Sequence, residues 1–348
     1  MLTRAARLGD MEQVKTILKE TPDAAEDWQP LMTAAFEGHA AVVKLLLEHG
    51  ANPDALSKNN YRHRPLHRVL EHKKTIPKGP HHVETVQVLL DFGASLTSRG
   101  GHSRMTPLCL AAVGGETQFI PLLQKYIEDL DIFSASVMGD VERVREILHE
   151  DPSLTNATDE NKWRPLNYCT ASKLGRDDPD KAAQLESVAR LLIEQGADLD
   201  ASPPPLASAV GNPLMMTLFL KLGADPNHGL INALWQGNFD AAEQLLASGA
   251  DIRRPVVDDT LSELVQYGMY RMAEFLVERG ANINAVDDHR GRTPLHWAAV
   301  RGASSKFVQY LVDHGADPKK RDSGELTPLD LANEKGRSKL VELLSFPE

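Results

Sequence analysis

Seven times along the 348-residue chain an apolar run closes on the dipeptide Gly-Ala: at Gly50-Ala51, Gly93-Ala94, Gly196-Ala197, Gly223-Ala224, Gly249-Ala250, Gly280-Ala281 and Gly315-Ala316. Glycine just past a helix end takes the left-handed conformation without a Cβ clash, so each dipeptide reads as a helix stop. A second phrase marks starts. Thr106-Pro107-Leu108, Thr293-Pro294-Leu295-His296 and Thr327-Pro328-Leu329 place a capping Thr before a Pro suited to a helix's first turn. Pro30-Leu31, Pro65-Leu66-His67, Pro165-Leu166 and Pro205-Leu206 are degraded copies. Stops and starts recurring in phase describe one supersecondary unit used many times. Such a unit cannot bury its apolar face alone and must lean on its neighbours.

The stretch Thr293 to Ala299, TPLHWAA, followed by Gly302 and by Asp313 to Asp317, resembles the ankyrin repeat. The resemblance implies an all-α solenoid of about eleven helix-turn-helix units joined by short hairpins, with an extended concave surface. Two units are too long, carrying Lys73 to His82 and Ser172 to Ala183 as insertions whose Gly, Pro and charge read as exposed loops. Two are too short, between Gly196 and Gly249, where the missing length falls in the hairpins. The first unit lacks a Thr-Pro start and reads as a cap, as does the last, Leu340 to Phe346.

Charge divides the chain. Residues 1–130 balance 15 basic against 15 acidic side chains, while 131–348 carry 23 against 34, which accounts for the net charge of -11. An N-terminal sub-array, 1–130, and a C-terminal acidic sub-array, 131–348, are therefore expected. Asp131 to Asp159 also copies the style of the N-terminal unit. The acidity argues against nucleic acid, whose phosphates call for clustered Lys and Arg. No apolar run approaches the ~20 residues of a membrane span, and Met1 to Asp10 has no apolar core of a secretory leader, so a cytoplasmic protein is expected. Cys109 and Cys169 read as small packing residues.

The chain has no phosphate-binding glycine loop, dinucleotide fingerprint, HExxH, CxxC or nucleophile elbow. No cofactor and no metal are expected. His63, His67, His72, His81 and His82 cluster, but the resemblance makes His67 and His296 structural hydrogen-bond groups. His63 precedes its helix, and His81 and His82 fall in an insertion.

The resemblance also implies which positions face the concave side. Reading them out gives Tyr168, Asn232, Glu263 and Trp297, then Trp235, Gln236, Tyr267 and Arg301 one turn on. Asn232, Glu263 and Trp297 would form a row roughly 20 Å long at ordinary helix spacing. Two functions fit. One is a scaffold binding a protein partner through residues 160–310; Asp258, Asp259, Asp287 and Asp288, expected at hairpin tips, suit a basic partner or simply tight turns. The other is an unusual enzyme or small-molecule binder with a pocket at the shortened repeats around 204–270. There charge is sparse, and Glu263 or His228 could act on a bound ligand.

Overall fold

A computed structural model describes residues 1–58, 62–71 and 78–345. His72, Lys73 to Pro77 of the first insertion, and Phe346 of the last unit lie outside the described residues. The described residues form twenty-two α-helices and no strand, and one isolated bridge pairs Gly100 with Met105. The all-α expectation holds.

Two compact units emerge, Met1–Pro205 and Leu206–Glu348. Unit 1 holds α1 (Leu2–Leu8), α2 (Met11–Glu20), α3 (Trp28–Glu37), α4 (Ala40–Glu48), α5 (Pro65–Leu70), α6 (Pro80–Asp91), α7 (Pro107–Gly114), α8 (Ile120–Lys125), α9 (Ile132–Met138), α10 (Val141–Glu150), α11 (Pro165–Ala171) and α12 (Pro179–Glu194). Next come α13 (Pro205–Ala209), α14 (Pro213–Lys221), α15 (Asn227–Gln236), α16 (Phe239–Ala247), α17 (Pro255–Gln266), α18 (Tyr270–Glu278), α19 (Pro294–Arg301), α20 (Ser305–Asp313), α21 (Pro328–Glu334) and α22 (Ser338–Leu344). The division falls at 205/206, and α7 and α9 pack on each other on either side of residue 130. Charge patterns the surface; buried contacts decide which segments fold together.

Within each unit helices pack with neighbours in order. In unit 1 the first helices of successive pairs stack as α1, α3, α5, α7, α9 and α11, while α4 stacks on α6 and α10 on α12. In unit 2 the same ordering links α15, α17, α19 and α21. The reason lies in the faces. In α2, Asp10 accepts from the Gln13 N–H and so caps the helix, which buries Val14 and Leu18. In α10, Asp140 accepts from the Arg143 N–H, and Val144, Ile147 and Leu148 are buried. Leu46, Leu66, Leu89 and Leu108 are wholly or almost wholly buried between neighbours. Each such side chain contributes about 1.5–3 kcal/mol by leaving water. Gly50 ends α4 at φ 90°, which lets the Ala51 N–H reach back 3.0 Å to the Leu46 carbonyl.

A trimmed hairpin is visible. In the second short unit residues 222–226 alone join α14 to α15, against 279–293 between α18 and α19. The insertions differ from the expected loose loops. His81 and His82 sit in the first turn of α6, with His82 buried. Much of Ser172 to Ala183 lengthens α12, capped by Asp178. The rest docks on preceding pairs: the Lys173 N–H donates to the Ala112 carbonyl at 3.0 Å, and the Lys181 ammonium to the Met138 carbonyl at 3.0 Å. These carbonyls lie at helix C-termini, where a cation is favoured.

Both cysteines are buried and free. Burial pushes the Cys109 thiol up to about 12, and the Cys169 thiol upward as well. A thiol-reactive dye such as DTNB should therefore label neither in the native chain at pH 8 and both in denaturant. Stoichiometric labelling without denaturant would contradict this packing.

Candidate functional site

Two kinds of joint decide which way the first helices present their side chains. The first is made by His67 and His296. His67 Nε2 donates to the Met105 carbonyl at 3.0 Å, and His296 Nε2 to the Leu326 carbonyl at 3.1 Å, so each imidazole ties its helix to the next hairpin. On the other side, His296 Nδ1 accepts from the Thr293 N–H. That arrangement uses a neutral ring, one nitrogen donating and one accepting. Burial drives both rings the same way: His67 is pushed down to about 4, and His296 is lowered. Asn167 does the same work without a ring. Its Oδ1 accepts from the Arg164 N–H, and its Nδ2 donates to the Pro203 carbonyl at 2.8 Å.

The second joint is a hairpin carboxylate. Asp159 accepts from the N–H groups of Asn161 and Trp163, from the Tyr168 hydroxyl at 2.6 Å, and from Arg99 Nη1 at 3.0 Å. Asp287 accepts from the N–H groups of His289 and Arg290 and from Trp297 Nε1 at 2.8 Å. Tyr168 and Trp297 thus hold equivalent places and make the same bond. Both are buried, at 0% and 8% exposure. The expectation that these two rings line an open face is corrected here. An amphipathic ring with a polar edge finds a sunken carboxylate and turns onto it. The Tyr168 hydroxyl is held protonated by this burial. In unit 2 the next hairpin adds Asp322, which takes Arg292 Nε at 2.9 Å and is held below the ordinary carboxylate range by that guanidinium and by two backbone N–H groups, against the opposing effect of burial.

The remaining predicted residues lie on α15, α17 and α19. The Trp235 and Tyr267 rings meet edge to face with centroids 5.5 Å apart. Tyr267 is 63% exposed, an unusual degree for a tyrosine, and Trp235 is half-buried. Arg301 is exposed and donates from Nε to the Gln266 carbonyl, which fixes its guanidinium beside the end of α17. Gln236 and Asn232 are exposed; Asn232 Nδ2 donates to the Ala207 carbonyl at 2.9 Å. Glu263 is half-buried. His228 is half-buried with Nε2 4.0 Å from Asp225. Residues from three successive helices therefore form one strip. Asp258 and Asp259 are not hairpin residues but belong to α17. Burial raises both carboxyls, and Asp258, Asp287 and Asp288 raise Asp259 further.

Cavities of about 740, 550, 380 and 350 Å³ open elsewhere, none of them lined by residues 204–270. Among the described residues, His63, Glu71 and His102 form a group whose potential metal-binding atoms lie within 4.8 Å of one another. Sequence reasoning passed over this group because its members are spread along forty residues and only the hairpins bring them together. No helix of the described residues is long and apolar enough to cross a membrane.

Comparison with known proteins agrees with this architecture. The family described as ankyrin repeats (3 copies) matches residues 2–100 and 261–347. The putative palmitoyltransferase ZDHHC13 of Danio rerio is 25% identical over 62% of the chain and 34% of its own length. The ankyrin repeat and KH domain-containing protein mask-1 of Caenorhabditis elegans is 28% identical over 99% of the chain and 12% of its own. Ankyrin repeat and SOCS box protein 6 of Homo sapiens is 40% identical over 22% of the chain and 18% of its own. The chain thus spans about a third or less of the length of these relatives. Stacked helix pairs, imidazoles bonded to the following hairpin and a family match over more than half the residues lead to one conclusion: the chain belongs to the ankyrin-repeat family.

Proposed function

We propose that the chain is a protein-interaction scaffold, and that its contact strip is the surface of α15, α17 and α19 carrying Trp235, Gln236, Tyr267 and Arg301, with Asn232 and Glu263 beside them. The observation that carries this reading is the solvent-standing Tyr267 ring braced by Trp235, with a fixed guanidinium next to it. Aromatics and Arg supply large contact area at little cost in side-chain freedom, which is why they dominate binding hot spots. The partner segment that suits the strip is cationic. Burial and then Asp288, Asp258 and Asp287 raise the Asp259 carboxyl, and a nearby positive charge relieves that repulsion.

The strip gives little support to catalysis. Asn232, Gln236 and Tyr267 stand in water, where a ligand held beside them is not shielded from solvent. Cross-linking of the native chain in cell extract, with mass spectrometry of the captured proteins, tests the scaffold reading. Tyr267→Ala combined with Arg301→Ala should lose at least about tenfold of the specific capture while keeping the wild-type melting temperature, since hot-spot truncations cost about 2 kcal/mol or more each. Undiminished capture by this folded double variant would place the contact surface elsewhere.

A further inference from the structure

The first hairpins of unit 1 bring two imidazoles and a carboxylate to one point. His63 comes from the loop leading into α5, Glu71 from the residue that closes α5, and His102 from the following hairpin turn. His63 Nε2 lies 2.7 Å from Glu71 Oε1, and the His63 and His102 rings stand edge to face with centroids 5.1 Å apart. His63 and Glu71 are buried, at 3% and 7% exposure, while His102 closes the group from the solvent side.

The carboxylate is held as a metal ligand needs to be held. Its far oxygen, Oε2, takes Arg68 Nη1 at 3.0 Å, and the Arg68 guanidinium is itself set 4.3 Å from the Phe36 ring centroid. The near oxygen, Oε1, takes the His102 backbone N–H at 3.3 Å and is left directed at both imidazoles. Such outer partners fix ligand orientation at metal centres. The turn is also cut to fit. Gly101 has φ 74°, and a Cβ there would come within 2.7 Å of Glu71 Oε1, so only glycine lets the hairpin approach the carboxylate this closely. On its open side the group faces a cavity of about 550 Å³ whose walls include Trp28, Met32 and Phe36.

We propose that His63, Glu71 and His102 form a zinc site, with a water on the cavity side as the fourth ligand. Two imidazole nitrogens and one carboxylate oxygen are borderline donors of the kind Zn²⁺ takes, and three protein ligands with one open position is a common tetrahedral arrangement. Ligand bonds of about 2.0–2.2 Å place ligand atoms about 3.3 Å apart, so the His63–Glu71 contact opens by roughly half an ångström to admit the ion. The proton that His63 Nε2 shares with Glu71 leaves that nitrogen, either to Nδ1 or to solvent. Bound there, zinc staples the hairpin of residues 101–104 to both ends of α5. The site lies in unit 1 and is independent of the scaffold strip on α15, α17 and α19.

The test titrates ZnCl₂ alone into the full chain after chelation and buffer exchange, followed by calorimetry. One equivalent with Kd below about 1 μM is expected. Co²⁺ in the same position should give the intense visible bands of a four-coordinate ion. His102→Ala removes an exposed ligand without disturbing the core and should weaken zinc at least about 100-fold while leaving the metal-free melting curve unchanged. His49→Ala, a surface control, should leave affinity unchanged. Absence of saturable binding at 100-fold excess zinc over protein, or wild-type affinity in folded His102→Ala, would overturn the proposal. Co²⁺ bound only in the weakly coloured six-coordinate form would overturn it as well.

Discussion

Asp159→Ala should be among the most damaging polar substitutions in the chain, lowering unfolding free energy by about 3–5 kcal/mol. The side chain is wholly buried and accepts from two backbone N–H groups, one hydroxyl and one guanidinium. Removing it leaves Arg99 without its carboxylate and two hairpin amides without acceptors, and an unsatisfied buried donor costs about 1–3 kcal/mol. Asp287→Ala takes the acceptor away from two backbone N–H groups and from Trp297 Nε1, so about 2–3 kcal/mol is expected. Glu12→Ala, at an exposed pair with Lys15, should cost below about 0.5 kcal/mol. Urea titration at pH 7 followed by far-ultraviolet circular dichroism ranks the three. The stitched-hairpin account fails if the Asp159→Ala midpoint moves no further than that of Glu12→Ala.

The second large effect is loss of stability in acid. His67 is pushed down to about 4 by burial, and in the unfolded chain it returns to about 6.5. Above pH 6.5 the ring is neutral in both states, and its contribution is fully present. As pH falls from 6.5 towards 4 the unfolded chain takes up a proton that the folded chain refuses, so stability drops. Near pH 4 the loss from this residue reaches about 3 kcal/mol, at 1.36 kcal/mol per pK unit. His296, lowered by the same cause, adds in the same direction, and His82, also pushed to about 4, keeps a share of its own. Asn167 indicates the variant to make, since an amide there already donates forward and accepts backward. His67→Asn with His296→Asn should remain folded at pH 7.5 and show a markedly flatter fall in urea midpoint between pH 6.5 and 4.5. An unchanged slope would mean that other groups set the acid limit. Both titrations belong in chelator, so that no metal contributes.

How much of this was legible in the residues follows from the range of each interaction. Helix ends were legible because Gly50 or Thr293 acts within a few residues of itself. The roles of His67 and His296 came through the resemblance, and their bonds to Met105 and Leu326 are in place. The direction of Tyr168 and Trp297 was not legible. Their helical positions fit an open face, and only the three-dimensional placement of Asp159 and Asp287 shows what turns them inward. Trp235, Tyr267 and Arg301, one turn further along, instead contact one another's helices at the surface, ring against ring and guanidinium against the Gln266 carbonyl. The compact units divide at 205/206, where nothing in the charge pattern marks a step, because solvated side chains carry no information about which helices share a core. The meeting of His63, Glu71 and His102 needed two hairpins to be positioned first.

In unit 1 each helix pair is joined to the next by its own core leucines and its own hairpin stitch, with α1 against α3, α3 against α5 and so on. Two ties reach further, Arg99 to Asp159 and the Lys173 N–H to the Ala112 carbonyl, each passing over the α9–α10 pair, but both lie beyond α6. Under mechanical load such a row behaves as a set of links in series. Pulled from its first residues, it would give way from the end, α1 and α2 peeling before α3 and α4, in a sawtooth of small ruptures.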